Sequence, residues 1–543
     1  MSVSPSSQPR PEGPQGRWEA LTRTKADSPL ARWLKRYYEH ALLFSLEHRR
    51  AIVAGTVGIF LIALGLFFTL GRSFLPPFNE GSFTINVSSL PGISLEESDR
   101  IGRRAEELLL SIPEIQTVAR KTGRAELDEH ALGVNVSELE APFELDGRSR
   151  AELTAEVREK LSTISGANIE IGQPISHRID AMLSGTQANI AIKLFGDDLN
   201  RMFQLANDIK AKIQDIPGIA DLNVEQQIER PQLVIRPRRE MLARYGITLP
   251  QFSEFVSACL AGEAVSQVYE QGKSFDLVVR VRHDLHDEAD KVRDLMIDTS
   301  DGRKVPLSYI ADIRSAAGPN TISRENVKRK IVISANVDGR DLRSVVNDIQ
   351  ARIDADIRLP EGYHVEYGGQ FESEQAASRT LTLASCVAIV VIFLLLYHQF
   401  RSARESLIIL INLPLALIGG VFALLLTTGE VSIPAVIGFI SLFGIATRNG
   451  MLLISHYNHL QQVEGYSLRD SVVRGSLDRL NPILMTALCS ALALIPLALG
   501  SELSGNEIQS PMAKVILGGL LTSTALNGFI IPIVYMWIHR ART

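Results

Sequence analysis

The residues with the clearest chemical potential are an arginine and an asparagine in the middle of an apolar run. Arg448 and Asn449 lie within residues 432–456, a run long enough to cross a bilayer. A guanidinium at the centre of a membrane helix costs about 2.5–3.5 kcal/mol on insertion scales, and arginine cannot lose its proton to avoid that cost. We therefore expect Arg448 to face a bundle interior or a hydrated cavity, beside a carboxylate, rather than to snorkel to the membrane surface.

Six apolar runs are long enough to act as membrane spans. They are residues 51–70, 381–399, 406–427, 432–456, 481–500 and 513–537. The first run stands alone, and the other five follow a long polar block, residues 71–380. None of the six runs contains Asp or Glu, so no span of this chain supplies a carboxylate to accompany Arg448.

Composition excludes several classes of protein. The net charge of −5 gives no reason to expect a nucleic-acid partner. Cys259 is the only one of the three cysteines in the polar block, so that block cannot form an internal disulfide. The sequence contains no G-x-S-x-G, no H-E-x-x-H and no phosphate-binding glycine loop, so we expect neither an enzyme nor a cofactor.

Lysine and arginine near the ends of the spans predict the orientation of the chain. The basic residues on one side are Arg32, Lys35, Arg36, Arg49, Arg50, Arg401, Arg404, Arg469, Arg474, Arg479, Arg540 and Arg542. The loops on the other side, 428–431 and 501–512, contain neither residue type. We therefore expect both termini in the cytoplasm and residues 71–380 on the far side of the membrane, which for the inner membrane of a Gram-negative cell is the periplasm.

The segment before the first span has two interpretations. Residues 1–28 are rich in Ser, Pro, Gly and charge, which is typical of a disordered cytoplasmic lead. Residues 29–47 place aromatic and aliphatic side chains on a basic helix, which is typical of a helix that lies on the lipid surface. The same pattern fits a simple polar approach to the first span, and the sequence leaves both interpretations open.

The polar block has the pattern of an α+β domain. Strands are predicted near 82–87, 189–195, 220–224, 233–235, 275–281, 330–335 and 364–367, and helices near 95–111, 148–163, 198–215, 249–260 and 342–357. A helix, a short proline turn and a strand recur three times, which favours duplicated split βαβ folds of ferredoxin-like type. Residues 231–315 break the repeat, with a hairpin expected around Glu270–Lys273, and are interpreted as an inserted subdomain.

Five motifs of the sequence are FLPPFNEGSFTINVSSLPGIS at 74–94, GRAELDEHA at 123–131, HRIDAMLSGTQANIAIKLFGDDL at 177–199, GIATRNGMLLISHY at 444–457 and RLNPILMTALCSALALIPLALG at 479–500. Together they resemble the C-terminal half of a resistance-nodulation-division (RND) efflux permease of the heavy-metal efflux branch. The similarity extends from about residue 28 to the C-terminus, with the motifs in the same order.

The resemblance implies a six-span α-helical membrane bundle plus an α+β periplasmic domain of ferredoxin-like porter subdomains with an inserted docking subdomain. The predicted divisions are a cytoplasmic lead and surface helix (1–50), a first span (51–70), a first porter subdomain (71–185), a second porter subdomain (186–230 and 316–380), a docking subdomain (231–315) and a five-span bundle (381–538). It also implies a trimer, a periplasmic adaptor, an outer-membrane channel, and proton-driven export of metal cations or other toxic solutes from the periplasm.

The same resemblance implies a proton relay of Arg448, Asn449 and Thr486. Arg448 stands where the multidrug branch usually has lysine, Thr486 matches a relay threonine, and Asn449 is a polar neighbour of the cation. The aspartates of the family's relay come from a span of the other half of the permease. We therefore expect a half-size subunit that needs a complementary N-terminal permease half. The alternative is a non-transporting or truncated structural remnant that keeps only assembly surfaces.

The candidate metal ligands are Met182, Asp180 and His177, in the segment similar to a metal-binding loop. A thioether suits Cu(I) or Ag(I), but a lone methionine is more often part of a packed core. His177 and Asp180, with the Asp-Glu-His segment 128–130, offer ligands typical of Zn(II), Co(II) or Ni(II), although each also fits a solvated loop charge. This set favours a divalent metal, or an organic substrate, over copper.

Overall fold

A computed structural model describes residues 29–540 apart from residues 77, 124–132, 185–187, 228, 282–288, 320, 502 and 504. The predictions for the lead 1–28 and for the metal ligands at 128–130 therefore lie outside the described residues. The described part begins with two helices, α1 (Pro29–Glu47) and α2 (Arg49–Thr69), which break at His48. Tyr38 of α1 donates its hydroxyl to the carbonyl of Gly528 at 2.6 Å, which holds α1 against the bundle.

A four-stranded antiparallel sheet follows the first span. The elements are β1 (Gly71–Ser73), β2 (Ser82–Ser89), α3 (Leu95–Leu110), β3 (Ala119–Thr122), β4 (Val136–Pro142), α4 (Arg150–Ser162), β5 (Ala167–Gly172) and α5 (Pro174–Ser184). The strand order is β3–β4–β2–β5. Alternation along β2 places Phe83, Ile85 and Val87 on the face that packs with α3 and α4, each at most 2% exposed, and Asn86 on the opposite face.

A second sheet and an insertion form the rest of the α+β domain. The elements are β6 (Ile190–Phe195), α6 (Leu199–Ile213), β7 (Ile219–Val224), β8 (Arg230–Pro237), α7 (Arg239–Arg244), α8 (Leu249–Leu260), β9 (Glu263–Glu270), β10 (Lys273–Val279), α9 (Ala289–Arg293), β11 (Met296–Asp298), β12 (Lys304–Pro306), α10 (Leu307–Ile310), β13 (Ala311–Gly318), β14 (Arg324–Glu325), β15 (Lys328–Val337), α11 (Leu342–Asp356) and β16 (His364–Gly369). β7, β15, β6 and β16 pair antiparallel in that order, which repeats the strand order of the first sheet.

The insertion lies between the second and third strands of this repeat. β8 pairs with β13 over its full length and closes the insertion, which has its own core around Leu242, Phe252 and Ile310. β9 and β10 form a hairpin in which every side chain is exposed. The turn at Gln271–Gly272 has positive φ at both residues, as the tight reversal of a two-residue hairpin requires.

The remaining elements form the membrane bundle: α12 (Gln370–Phe400), α13 (Ala403–Leu410), α14 (Asn412–Thr427), β17 (Glu430–Ser432), α15 (Ile433–Gln462), α16 (Leu468–Leu499) and α17 (Gln509–Arg540). Within the described residues, six helices are long and apolar enough to span a membrane, with α13 and α14 counted as one. α12 begins at Gln370, earlier than the predicted 381, because the helix continues directly from β16.

α17 lies at the centre of the bundle, against α14, α15 and α16. Glycine allows the closest of these contacts: a Cβ at Gly419 would collide with the backbone of Gly518, and one at Gly518 would lie 2.6 Å from Cβ of Ala423. Close packing through small residues is the usual way that membrane helices associate. α14, α15 and α17 therefore form a dense centre with little room for a large side chain.

Candidate functional site

Arg448 lies on an outer face of the bundle. The exposed residues of α15 include Ile437, Ser441, Gly444, Arg448 and Ser455, whose spacing follows one side of a helix. In the described part of the chain, no carboxylate forms an ion pair with Arg448. Within this chain Arg448 therefore does not face the packed centre of the bundle, and its expected carboxylate neighbour from another polypeptide stays a prediction.

Thr486 lies at the same depth as Arg448. α15 and α16 run antiparallel, with Nε2 of His456 3.4 Å from Oδ2 of Asp478. Arg448 precedes His456 by as many residues as Thr486 follows Asp478. Arg448 and Thr486 are therefore level in the bundle. Thr486 is also exposed, and its hydroxyl donates to the carbonyl of Ile483 at 2.9 Å rather than to the arginine.

Asn449, in contrast, faces the interior of the bundle. It is 1% exposed, and neither polar atom of its amide has a hydrogen-bond partner in the described residues. Asn412 of α14 and Asn527 of α17 are equally buried with equally unpartnered amides, and Asn412 lies against Gly450. Sequence reasoning missed these two residues, although polar residues inside apolar runs were a usable signal.

The candidate metal ligands do not converge. Met182 is 82% exposed and His177 is 4% exposed, because five residues along one helix place the two on different sides of α5. The side chain of Asp180 lies outside the described part. Within the described ranges, no group of three or more His, Cys, Asp or Glu is arranged to hold a metal.

His177 lines a cavity of about 390 Å³ that also borders the second sheet and the membrane bundle. Its Nε2 lies 2.9 Å from Nδ2 of Asn86, and its Nδ1 has no hydrogen-bond partner in the described residues. Three arginines share the lining, and each is bound by the protein itself: Arg150 to the Phe78 carbonyl, Arg158 to Asp221 and Asp338, and Arg340 to the Pro217 carbonyl and Asp348. The imidazole is thus largely enclosed, with Nε2 beside Asn86 and Nδ1 packed against Gly172.

Two carboxyls lie where the cavity meets the bundle. Burial raises the pKa of Glu430, a hydrogen bond with Ser73 partly offsets the shift, and the nearby charge of Asp341 adds to it. Asp341 accepts from the backbone N–H of Arg72 at 3.1 Å and from that of Ser344 at 3.0 Å. Burial raises its pKa less than these hydrogen bonds lower it, so the pKa of Asp341 lies below its ordinary value.

Comparison with known proteins gives the family. Residues 10–539 match the profile of the AcrB/AcrD/AcrF family. The chain is 35% identical over 526 residues to the cobalt-zinc-cadmium resistance protein CzcA of Cupriavidus metallidurans, which covers 95% of this chain and 49% of that protein. It is 29% identical over 537 residues to the cation efflux system protein CusA of Escherichia coli, which covers 95% of this chain and 51% of CusA.

A solved structure agrees with these sequence matches. The crystal structure of a heavy metal efflux pump superposes with a TM-score of 0.80 at 29% identity, over 94% of this chain and 53% of the other. The chain therefore spans about half the length of the relatives it matches. The family profile, the identities and the shared fold together show that the chain belongs to the AcrB/AcrD/AcrF family of RND permeases.

Proposed function

We propose that the chain is one half of a proton-driven RND permease that exports divalent metal cations. The observation that carries this proposal is that Arg448 and Thr486 lie at one depth on neighbouring helices and are both exposed in this chain. An unpaired guanidinium facing lipid is costly. A complementary six-span half that covers this face with a carboxylate would remove that cost and would supply the missing proton acceptor.

The relay follows from elementary electrostatics. A carboxylate beside Arg448 keeps its charge, because a neighbouring cation favours the ionised form. When the helices shift and the guanidinium moves away, the carboxylate takes up a proton. Arg448 keeps its own proton in both states and acts as a fixed charge. α12 continues directly from β16, and α2 leads into β1, so both helices can transmit the shift to the sheets.

The proposed orientation places the sheets in the periplasm and both termini in the cytoplasm of a bacterial inner membrane. The repeated strand order supports two ferredoxin-like porter subdomains, at 71–185 and at 186–230 with 316–380, and the separate core of 231–315 supports a docking subdomain. Membership of the RND family supports assembly as a trimer, and the exposed β9–β10 hairpin offers a surface for contact with a neighbouring subunit. A periplasmic adaptor and an outer-membrane channel complete the proposed complex.

The proposed substrate is a divalent transition metal. CzcA is named for resistance to cobalt, zinc and cadmium. The nickel and cobalt resistance protein CnrA of the same organism is 34% identical over 518 residues, which cover 93% of this chain and 48% of CnrA. An imidazole nitrogen such as that of His177 suits these metals. Met182 is 82% exposed and is not among the described residues that line the cavity, so its thioether does not lie beside His177 there.

Co-expression with a candidate N-terminal half in a metal-sensitive bacterium tests the proposal. The pair should raise tolerance to Zn(II), Co(II) or Ni(II), and neither half should do so alone. Arg448→Ala should abolish tolerance at unchanged protein level, whereas Arg448→Lys, which keeps the charge, should retain part of it. Arg469→Ala, which removes an exposed cation at the start of α16, is the matched control and should change nothing.

Unchanged tolerance in Arg448→Ala would refute the relay. A failure to confer tolerance with every partner half that carries intramembrane aspartates would favour the structural-remnant alternative.

A further inference from the structure

The end of the bundle away from the sheets holds a carboxylate in an unusual arrangement. Glu405 is the third residue of α13, and its backbone N–H donates to the side chain of the N-cap residue Ser402. A glutamate at this position commonly turns back to the N-cap backbone, as Glu152 does toward Ser149 in α4. Glu405 instead reaches across to α15, where Nδ2 of Asn458 donates to its Oε2 at 2.9 Å.

Hydrogen bonds continue from Asn458 into α17. The hydroxyl of Tyr535, which is fully buried, donates to Oδ1 of Asn458 at 2.6 Å and accepts from Nε2 of Gln461 at 3.3 Å. The ring of Tyr535 stacks on that of His539, with 4.1 Å between centroids. His539 returns to the start, because its Nε2 lies 4.0 Å from Oε1 of Glu405. One carboxylate, one amide, one phenol and one imidazole thus link α13, α15 and α17.

Glu405 is shielded from water without being paired to a permanent cation. Its side chain is 14% exposed and that of His539 is 22% exposed. Among the described residues, His539 is the one Lys, Arg or His side chain within 4.0 Å of the Glu405 carboxylate. The other titratable groups at this end of the helices packed around it are Tyr397 and His398 of α12, Arg404 of α13, His456, Tyr457 and His459 of α15 and Tyr535 and Arg540 of α17. α14 contains no charged residue.

We propose that Glu405 and His539, connected through Asn458 and Tyr535, form a proton-exchange site at this end of the bundle. The inference rests on the proposed proton-driven function, in whose orientation this end is cytoplasmic. Because Nε2 and Oε1 are 4.0 Å apart, the proposed transfer uses one bridging water: the proton leaves the carboxyl of Glu405 through that water for Nε2 of His539, giving a carboxylate and an imidazolium, and the partly exposed imidazolium passes the proton to bulk water. Asn458 and Tyr535 are positioning residues that hold Glu405 toward α15, the helix of Arg448.

Infrared spectroscopy tests the site without any need for transport. Spectra of the purified chain in lipid nanodiscs, recorded during stepwise acidification, should show a protonated-carboxyl band that shifts in deuterated water. Glu405→Gln should remove this component. Asp478→Asn, which removes a carboxylate paired with His456 on neighbouring helices, should leave it unchanged. Asn458→Leu should move the frequency of the band, because the carboxyl of Glu405 loses its hydrogen-bond partner. A Glu405 carboxylate that only holds the helices together and never takes up a proton would show none of these changes.

Transport measurements then test the role of the site. With a partner half that confers tolerance, Glu405→Gln and His539→Gln should each reduce metal export driven by a pH gradient by about tenfold or more at unchanged protein level. A carboxyl component that survives Glu405→Gln overturns the site. Undiminished export by a Glu405→Gln chain that has lost the component overturns its role in transport, while the result for Arg448→Ala judges the relay separately.

Discussion

Glu430 is one of the carboxyls that lie between the bundle and the sheets. β17 pairs in parallel with β1, so that Glu430 lies opposite Gly71 at the border of the cavity. Burial raises the pKa of this carboxyl above its ordinary value of 4.5. The folded chain therefore binds that proton more tightly than the unfolded chain does. The stability that comes from this difference is fully present at a pH below the ordinary pKa of the carboxyl. It is lost as the pH rises through the pKa of the carboxyl in the folded chain.

Glu430→Gln should accordingly raise the melting temperature near neutral pH, because the substitution removes the buried charge. It should have little effect below the ordinary value of 4.5, where the carboxyl is protonated in both states. Thermal unfolding followed by tryptophan fluorescence at the two pH values measures this difference. Glu159→Gln, which changes an exposed carboxylate of α4, is the control and should show no such pH dependence. An equal gain at both pH values would contradict the assignment.

Arg448 shows what could be read from the sequence at this scale and what could not. A charge within an apolar run is rare and costly, so the sequence identifies the residue. Which side of α15 faces the other helices of this chain depends on the close packing of α14 and α17 at Gly419 and Gly518. No local pattern in the sequence reveals that packing. The donor to Glu405 was missed for the same reason, since Asn458 is distant in sequence and the two meet only after the helices pack.

At the scale of elements, the sequence predicted the repeated local units better than it predicted the pairing of strands that are distant in the chain. The recurring helix, turn and strand correspond to two sheets of the same strand order, because each unit buries its apolar face by the same arrangement. The predicted insertion, 231–315, ends inside the β8–β13 pair, which runs from Arg230 to Gly318. Pairing between strands so far apart leaves no local signal, so its extent could not be predicted.

Close contact between α14 and α17 should make the bundle sensitive to one added methyl group. A Cβ at Gly518 would lie 2.5 Å from the carbonyl oxygen of Gly419 and 2.6 Å from Cβ of Ala423, so backbone must move. Gly518→Ala should destabilise the chain by about 1–3 kcal/mol. Gly58→Ala in α2, where a Cβ meets nothing within 4 Å, should be neutral or stabilising by up to about 1 kcal/mol. Thermal unfolding in detergent measures both, and equal effects would show that the helices separate easily.

At the scale of the whole molecule, the helices of the bundle differ sharply in burial. The apolar window of α13–α14 is 61% buried in the chain, whereas those of α12 and α16 are 6% and 17% buried. α15 lies between these two groups, with one side in the dense centre and the side of Arg448 and Gly444 outside. A lipid contact would explain exposed apolar side chains but not an exposed guanidinium at mid-depth. The face therefore has the character of a protein interface.

A photoreactive benzophenone side chain in place of Gly444 tests which protein covers this face. A Cβ at Gly444 meets nothing within 4 Å, so the larger group fits without disturbing the fold. Irradiation of membranes that contain both halves should give an adduct with the mass of this chain plus the N-terminal half. The same group in place of Gly58, equally unhindered but on α2, should give no such adduct. An adduct of two copies of this chain would show that the face joins identical subunits. Arg448 would then lie against another copy of α15, which contains no carboxylate. The proton acceptor that transport requires would be missing.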